Sequence, residues 1–410
     1  MKSLASLVRR SVRPRLDDVR SNRYFSSLDS TDDKHASTGK ESKLQDLLDD
    51  SALGTGPLDE VDEEDEWRTS PYPIGGVVNP RQSQSMKSLR PKVDPSETSI
   101  ILFPGQGSQY VGMGKELLKF PAACDIFEAA NSILKYDLLK LMLKGPKQQL
   151  DQTKYCQPAV VVCSLAALEK LKEERPSAIE KCMATAGFSV GEITALTFAG
   201  VFKFGDAIKL VRTRAEAMQL ASEMAPGGMA TVIYSADSNL KKAIEKAKEW
   251  CLERGINEPE CRVATYLHPN MKVIAGHTEA LRYIECNKKF YKLNDVKRLP
   301  VKGAFHSNLM LPASFEFRKK LNKLEPSDPQ IVVHSNLDGE YYRNKEHVIQ
   351  QLPKQIYKPI KWEQMLHILY ERDSNCNFPE TIVCGPNNPL KEYLKGVNAK
   401  AAEFCFNIRV

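Results

Sequence analysis

The chain lacks cysteine pairs at metal-ligand spacing, long apolar runs and internal repeats. Its ten cysteines include no C-x-x-C pair, and most lie in apolar segments, as Cys163, Cys182 and Cys384 do. This usage predicts buried thiols in a reducing compartment and argues against a disulfide framework or a zinc site. No apolar run approaches the roughly 18 residues that cross a bilayer, so we expect no membrane span. The absence of repeats argues against a solenoid.

A strong excess of one charge is also missing. The 410 residues carry a net charge of +6. Residues 1–95 hold 15 basic and 17 acidic side chains, whereas the other 315 residues hold 43 and 35. A mildly basic body suits an acidic partner, but the excess is far too small to indicate nucleic-acid binding.

The N-terminal segment does not have the composition of a folded domain. Residues 1–25 are rich in Arg and Ser with spaced apolar residues, and Arg23 stands shortly before small residues. This composition predicts a mitochondrial transit peptide and a location in the matrix, although Asp17 and Asp18 are unusual there. A disordered basic tail is the alternative. Residues 26–95 contain an acidic run and few core-forming residues, which predicts a disordered linker.

From residue 99 onward, short apolar strands alternate with helical periods, which is the α/β pattern. We predict a hydrolase-like open, mainly parallel sheet flanked by helices, formed by residues 96–226 and 303–410. Residues 227–302 show the order βαββαβ, which predicts an inserted ferredoxin-like subdomain.

A serine lies between two glycines in "GFSVGE", immediately after the predicted strand "CMATAG". A sharp turn from strand to helix would expose the Ser189 hydroxyl at a helix N-terminus, as in a nucleophile elbow. An ordinary glycine turn is the alternative.

A serine nucleophile needs a base that takes its proton, most often a histidine. Of the seven histidines, His306 in "RLPVKGAFHSNLM" follows a predicted strand and a glycine at the start of a helix. Catalytic groups collect at such strand-to-helix loops in open α/β sheets, so His306 is the best candidate by position. A histidine that merely caps the helix is an equal alternative.

An arginine lies on the apolar face of the predicted helix "DAIKLVRTRAEAMQLASEM". Arg214 is four residues after Leu210 and four before Met218, whereas Arg212 falls on the polar side. A buried guanidinium is costly unless it meets an anion. That anion is either a protein carboxylate in an internal ion pair or a substrate carboxylate held by two hydrogen bonds.

A second glycine cluster, "ILFPGQGSQYVGMG", follows the first predicted strand. It lacks the lysine and the spacing of a phosphate-binding loop. Such a loop either presents a backbone N–H to a developing oxyanion or simply caps the next helix.

Taken together, the motifs resemble those of the malonyl-CoA:acyl carrier protein transacylases, in the same order and at the same spacing. They are "FPGQGSQYVGMG", "GFSVGE", "RAEAMQ", "GAFHS", "QIYKPIKW" and "CGPNNPL". The similarity extends from about residue 99 to the C-terminus and is closest to the animal mitochondrial form. It implies transfer of a malonyl group from malonyl-CoA to the phosphopantetheine thiol of acyl carrier protein in two steps. No metal or bound organic cofactor is implied.

The resemblance implies a Ser–His pair as the catalytic centre. Ser189 would form a malonyl-serine, and His306 would take its proton and later activate the incoming thiol. In this family a backbone carbonyl, not an acid, orients the imidazole. That carbonyl would belong to Gln355.

The resemblance also implies how the acyl group is held. The backbone N–H groups of Gln106 and Val190 would form the oxyanion hole, and Arg214 would bind the malonyl carboxylate. Phe305 matches the pattern of malonyl-selective members.

Two positions depart from the family pattern. Phe188 replaces the usual histidine before the serine, and Thr265 and Leu267 stand where bacterial relatives have asparagines. These changes put in doubt some polar contacts around the site, but they leave the Ser–His pair and the arginine intact.

Three other functions remain as alternatives. A serine thioesterase or hydrolase would share the elbow but should show an acid that pairs with His306. A patatin-like lipase could use Asp338 but would leave Arg214 unexplained. A non-catalytic scaffold that binds the carrier protein should have lost the catalytic residues.

Overall fold

The computed structural model describes residues 94–370, 372 and 376–410. The predicted transit peptide and the predicted linker up to residue 93 lie outside this part of the chain. Among the described residues, no helix has both the length and the apolarity that a membrane crossing requires.

The described strands form two sheets. The strands are β1 Ser99–Phe103, β2 Cys182–Gly187, β3 Gly227–Ile233, β4 Cys261–His268, β5 Met271–His277, β6 Asp295–Arg298, β7 Val332–His334, β8 Ile360–Lys361, β9 Glu380–Val383 and β10 Cys405–Asn407.

The α-helices of the described residues follow the predicted alternation with strands. They are α1 Pro121–Leu134, α2 Leu138–Lys144, α3 Lys147–Leu150, α4 Thr153–Glu174, α5 Pro176–Glu180, α6 Gly191–Phe198, α7 Phe204–Met224, α8 Leu240–Leu252, α9 Thr278–Cys286, α10 Leu311–Leu321, α11 Lys345–Gln351, α12 Trp362–Tyr370, α13 Pro389–Val397 and α14 Ala399–Glu403. Short 3₁₀ turns lie at Pro95–Glu97, Glu116–Lys119, Asn308–Met310 and Lys354–Ile356.

The larger body contains an open sheet of order β10-β9-β1-β2-β7, in which every neighbouring pair is parallel. All five residues of β1 are buried, because a central parallel strand is covered by helices on both faces. The predicted parallel α/β fold is therefore confirmed. The carboxyl ends of β1 and β2 lie side by side, which brings the glycine loop and the serine turn to one edge.

The smaller sheet has the order β6-β3-β5-β4-β8. Its first four strands pair antiparallel, and with α8 and α9 they follow the chain order βαββαβ. The predicted ferredoxin-like insertion is therefore confirmed. Its apolar core lies between these strands and the two helices, with Ala230, Ile274 and Leu281 fully buried.

Three features of the fold differ from the prediction. β8 joins the small sheet by parallel pairing with β4, although it follows Gln355 in the chain, and no strand was predicted there. The helices α13 and α14 and the edge strand β10 were also not predicted. Conversely, the last strand of the predicted subdomain, which was expected to extend to residue 302, ends at Arg298, since Pro300 has no N–H to continue the ladder.

Candidate active site

Ser189 lies in a sharp turn between β2 and α6, with a positive φ of 52°. The flanking glycines allow this turn. A Cβ on Gly187 would overlap the backbone of Gly191, and a Cβ on Gly191 would lie 2.5 Å from the carbonyl oxygen of Phe103. The sequence G-x-S-x-G therefore forms a tight strand-to-helix crossing against the end of β1, as a nucleophile elbow requires.

His306 lies within hydrogen-bond distance of the serine. Ser189 Oγ is 2.9 Å from His306 Nε2, and His306 Nδ1 is 2.7 Å from the carbonyl oxygen of Gln355. A carbonyl oxygen can only accept, so Nδ1 carries the proton and Nε2 accepts from the serine hydroxyl. His306 also has a positive φ of 60°, a strained backbone conformation of the kind that is found at functional sites.

The imidazole is neutral at physiological pH. Burial and, to a smaller degree, the Arg214 cation lower the pKa of His306 to about 3, although the hydrogen bond to the Gln355 carbonyl acts in the opposite direction. The ring is therefore ready to accept a proton without first losing one.

Arg214 lies on α7 and is 1% exposed. Its Nη1 donates to Gln157 Oε1 at 2.7 Å, and its Nη2 donates to Gln355 Oε1 at 2.9 Å and to Ser189 Oγ at 3.1 Å. Each of these acceptors is neutral, and no carboxylate in the described part of the chain forms an ion pair with this guanidinium. Burial lowers its pKa to about 9, opposed by the charge of Glu192. The internal ion pair that would explain a buried arginine is thus not found among these residues.

The two backbone N–H groups expected in an oxyanion hole lie in the two loops at this edge. Val190 immediately precedes α6, and Gln106 lies in the loop after β1. Within the residues described, neither N–H has a hydrogen-bond acceptor. Both donors are therefore available to an incoming oxygen.

Glutamine side chains link the arginine to this loop. Gln157 Nε2 donates to Gln106 Oε1 at 3.3 Å, and Gln106 Nε2 donates to Thr153 Oγ1 at 3.3 Å. Gln157 thus forms hydrogen bonds both with Arg214 and with the side chain of Gln106.

Four buried polar residues of this region were not predicted from the sequence. They are Gln157, Glu192, Asn336 and Tyr342. Asn336 Oδ1 accepts from the Ser189 N–H at 2.8 Å, and its Nδ2 donates to the Gly187 carbonyl at 2.8 Å, so it holds the elbow at both ends. Single polar residues inside the apolar segments "CQPAVVVC" and "GEITALTFAG" could have indicated Gln157 and Glu192. Asn336 lies in the polar loop "SNLDG", where a polar residue is ordinary and gives no such indication.

The positions that depart from the family pattern are filled by apolar packing. The ring centroid of Phe188 lies 5.2 Å from that of Trp362 and 6.0 Å from that of Tyr393. Thr265 and Leu267 are buried within β4. An aromatic cluster therefore surrounds the position at which the family pattern has a histidine.

Two other residues considered from the sequence are Phe305 and Asp338, and only Phe305 lies next to the Ser–His pair. Phe305 precedes His306 and is 6% exposed. Asp338 Oδ1 accepts from the backbone N–H of Glu340, and the described contacts do not join it to Ser189 or His306. In the described ranges, no three His, Cys, Asp or Glu side chains are placed to hold a metal ion.

Comparisons with known proteins agree with this geometry. The acyl transferase domain family matches residues 100–363. The chain is 53% identical over 319 residues to the probable mitochondrial malonyl-CoA-acyl carrier protein transacylase of Drosophila melanogaster, covering 78% of this chain and 84% of the relative. It is 43% identical over 351 residues to the mitochondrial malonyl-CoA-acyl carrier protein transacylase of Mus musculus, covering 86% and 90%.

Solved structures show the same similarity. The malonyl CoA-acyl carrier protein transacylase of Coxiella burnetii matches with a TM-score of 0.69 at 28% identity, covering 77% of this chain and 95% of that one. A malonyl-transacylase solved in complex with its type II PKS acyl-carrier protein matches with a TM-score of 0.67 at 28% identity, covering 76% and 96%.

Proposed function

Since the chain belongs to the malonyl-CoA-acyl carrier protein transacylase family, we propose that it moves a malonyl group from malonyl-CoA to the phosphopantetheine thiol of an acyl carrier protein. The chain is a mitochondrial acyltransferase, and this transfer supplies mitochondrial fatty acid synthesis. The observation that carries the proposal is the buried Arg214, whose hydrogen-bond acceptors among the described residues are neutral and which lies 3.1 Å from the Ser189 hydroxyl.

In the first half-reaction, His306 Nε2 takes the proton of the Ser189 hydroxyl while Oγ attacks the thioester carbonyl carbon. The carbonyl oxygen becomes an oxyanion and accepts from the N–H groups of Gln106 and Val190. The C–S bond then breaks, and the CoA sulfur leaves with the proton that His306 returns. The product is an ester between the malonyl group and Ser189.

In the second half-reaction, the phosphopantetheine thiol gives its proton to His306 and its sulfur attacks the ester carbonyl. The C–O bond to Ser189 breaks, and Oγ recovers the proton from His306. The reaction needs no redox group and no metal, so we propose that the enzyme works without a cofactor of its own.

Arg214 selects the acyl group by its charge. A guanidinium can hold a carboxylate by two parallel hydrogen bonds, and in a buried site such a contact is strong. The bound carboxylate also offsets the cation that lowers the His306 pKa. The imidazole therefore becomes a stronger base when a malonyl group occupies the site. Phe305, buried beside His306, would limit the space for bulkier acyl groups.

The carrier protein is proposed as an acidic partner, since residues 96–410 carry an excess of basic side chains. No nucleic-acid partner is proposed. For the segments outside the described residues, we propose a matrix-directing transit peptide over 1–25 and a linker over 26–95.

Mass spectrometry of the intact protein tests the proposal. The wild type, Ser189→Ala and Arg214→Ala are mixed separately with malonyl-CoA and with acetyl-CoA, and the acylated peptide is mapped. We expect a malonyl adduct on the Ser189 peptide of the wild type, formed much faster than an acetyl adduct, and none on Ser189→Ala. Arg214→Ala should lose the preference for malonyl.

Each other outcome contradicts the proposal in a different way. Steady release of free CoA without an adduct would indicate a thioesterase. Neither adduct nor CoA release would leave a carrier-binding scaffold. An adduct whose malonyl preference survives in Arg214→Ala would remove the proposed role of the arginine.

A further inference from the structure

Glu192 is a fully buried acidic residue that the proposed reaction does not use. It lies in the first turn of α6, three residues after the nucleophile, and is 0% exposed. Its Oε1 accepts from the Tyr342 hydroxyl at 2.8 Å and from the Asn336 N–H at 3.0 Å, and its Oε2 accepts from Gln355 Nε2 at 2.7 Å. A buried carboxylate is costly, and the three donors that offset this cost are all neutral.

Gln355 connects this carboxylate to the reacting groups. Its Nε2 donates both to Glu192 and to the Ser189 carbonyl, each at 2.7 Å. Its Oε1 accepts from Arg214 Nη2 at 2.9 Å. Its backbone carbonyl accepts from His306 Nδ1. One residue therefore contacts the serine, the histidine and the arginine.

The two ends of an amide have the same shape, so their neighbours decide which end faces which. The Glu192 carboxylate and the Ser189 carbonyl can only accept, and the two contacts together fix the NH₂ end of Gln355 toward Glu192. The oxygen end must then face Arg214. A turned amide would instead place donors against the donors of the guanidinium.

We propose that Glu192 is a positioning residue that acts through the Gln355 side chain to orient Arg214 toward the acyl carboxylate. It thereby sets the preference for acyl groups that carry a carboxylate. This inference rests on the proposed malonyl transfer.

The charges around Glu192 support this role. Burial and, to a smaller degree, the Asp338 charge raise its pKa to about 7, although the hydrogen bonds from Tyr342, Asn336 and Gln355 act in the opposite direction. On the facing helix α7 the nearby charge is Arg214. Above this pH Glu192 is a carboxylate that accepts from Gln355. Below it, a protonated oxygen would donate, and the contact that fixes the amide would be lost.

The test compares Glu192→Gln with Glu363→Gln, which changes another buried glutamate, 1% exposed, in the first turn of α12. Tyr342 and Gln355 donate to different oxygens of Glu192, and a glutamine has only one oxygen, so its NH₂ group would face one of these donors. The rate of malonyl adduct formation on Ser189 is measured beside the rate of reaction with an uncharged fluorophosphonate, which needs no arginine.

We expect Glu192→Gln to slow malonylation about tenfold more than the fluorophosphonate reaction, as the loss of roughly one charge-assisted hydrogen bond would. Malonyl-CoA KM should rise more than kcat falls. Tyr342→Phe should act in the same direction with a smaller effect, and Glu363→Gln should leave the ratio of the two rates unchanged.

Equal slowing of both reactions would overturn the proposal, because it would show a structural role in the elbow. An unchanged ratio would overturn it as well, since Gln355 would then be oriented without Glu192. If Glu192→Gln does not fold, the wild-type ratio measured from pH 6 to pH 8 decides: it should fall below about pH 7, and a flat profile would contradict the inference. A wild type without any malonyl adduct would instead be a failure of the proposed function itself.

Discussion

Helix α7 carries one arginine on its exposed face and another on its buried face. Arg212 is on the outer face, where its side chain is 44% exposed and its Nε lies 3.0 Å from Glu216 Oε1. Arg214 is on the inner face, 1% exposed, with neutral acceptors and the Ser189 hydroxyl around it. Two residues rotate a helix by about 200°, so these side chains point in nearly opposite directions.

The difference separates two uses of a positive charge. An exposed ion pair contributes little to stability, because water already solvates both partners. A buried cation without an anion costs free energy in the unliganded protein, and that cost is recovered when an anion binds. The inner arginine therefore indicates a substrate site, while the outer one indicates only a solvated surface.

Removing each charge in turn gives the largest expected contrast. Arg214→Met should slow malonyl transfer by roughly 30- to 5,000-fold, since truncating one partner of a buried charge pair costs about 2 to 5 kcal/mol. Arg212→Met should change the rate by less than about twofold. Steady-state transfer to acyl carrier protein measures both. A similar loss of transfer rate in the two variants would contradict this. It would show that the overall positive charge of the helix, and not a direct contact with Arg214, selects the substrate.

Keeping the charge but changing its shape sharpens the comparison. Arg214→Lys retains a cation but loses the planar fork that can hold a carboxylate by two bonds. We expect malonyl transfer to fall about tenfold, between the wild type and Arg214→Met, with most of the change in KM. Arg212→Lys is the matched control and should behave as the wild type. Full activity of Arg214→Lys would mean that charge alone is sufficient.

The pH dependence of the base offers a third contrast. Burial lowers the pKa of His306 from 6.5 to about 3, and the Arg214 cation contributes to this shift. The base form therefore persists as the pH falls below 6.5, and protonation at lower pH removes activity. In Arg214→Met the pKa should rise, so the acid limb of the Ser189 reaction with an uncharged fluorophosphonate should move to higher pH. Arg212→Met should leave the limb in place.

Much of this site could be predicted from the sequence because its residues are marked by local patterns. The glycines around Ser189, the position of His306 after a strand and the place of Arg214 on an apolar face each carry a signal. Gln355 was reached only through the family resemblance, since a backbone carbonyl has no sequence signature. That resemblance did not indicate the contacts of the Gln355 side chain with Arg214 and Glu192.

The fold was predictable to a similar degree. Apolar runs such as β1 specify a buried parallel strand by composition alone. In contrast, β8 has two residues and forms only because the chain after Gln355 meets β4, which is a tertiary effect. The contacts of Asn336 with Ser189 and Gly187 are also tertiary effects, since they join residues about 150 positions apart in the sequence. Such long-range pairings depend on the folded arrangement and leave little trace in local periodicity.

The smallest expected effect concerns stability, and there the contrast between the two arginines should nearly vanish. Arg212→Met loses one exposed pair four residues apart on a helix, worth about 0.3 to 0.5 kcal/mol. Arg214→Met leaves the oxygens of Gln157 and Gln355 without their donor, at about 1 kcal/mol each, but also removes a buried cation whose desolvation is of similar or larger cost. We therefore expect the urea midpoints of both variants to lie close to that of the wild type. A loss of more than about 2 kcal/mol in Arg214→Met would show that the charge of the nearby Glu192 already compensates the guanidinium in the unliganded protein, and it would weaken the argument that its anion comes with the substrate.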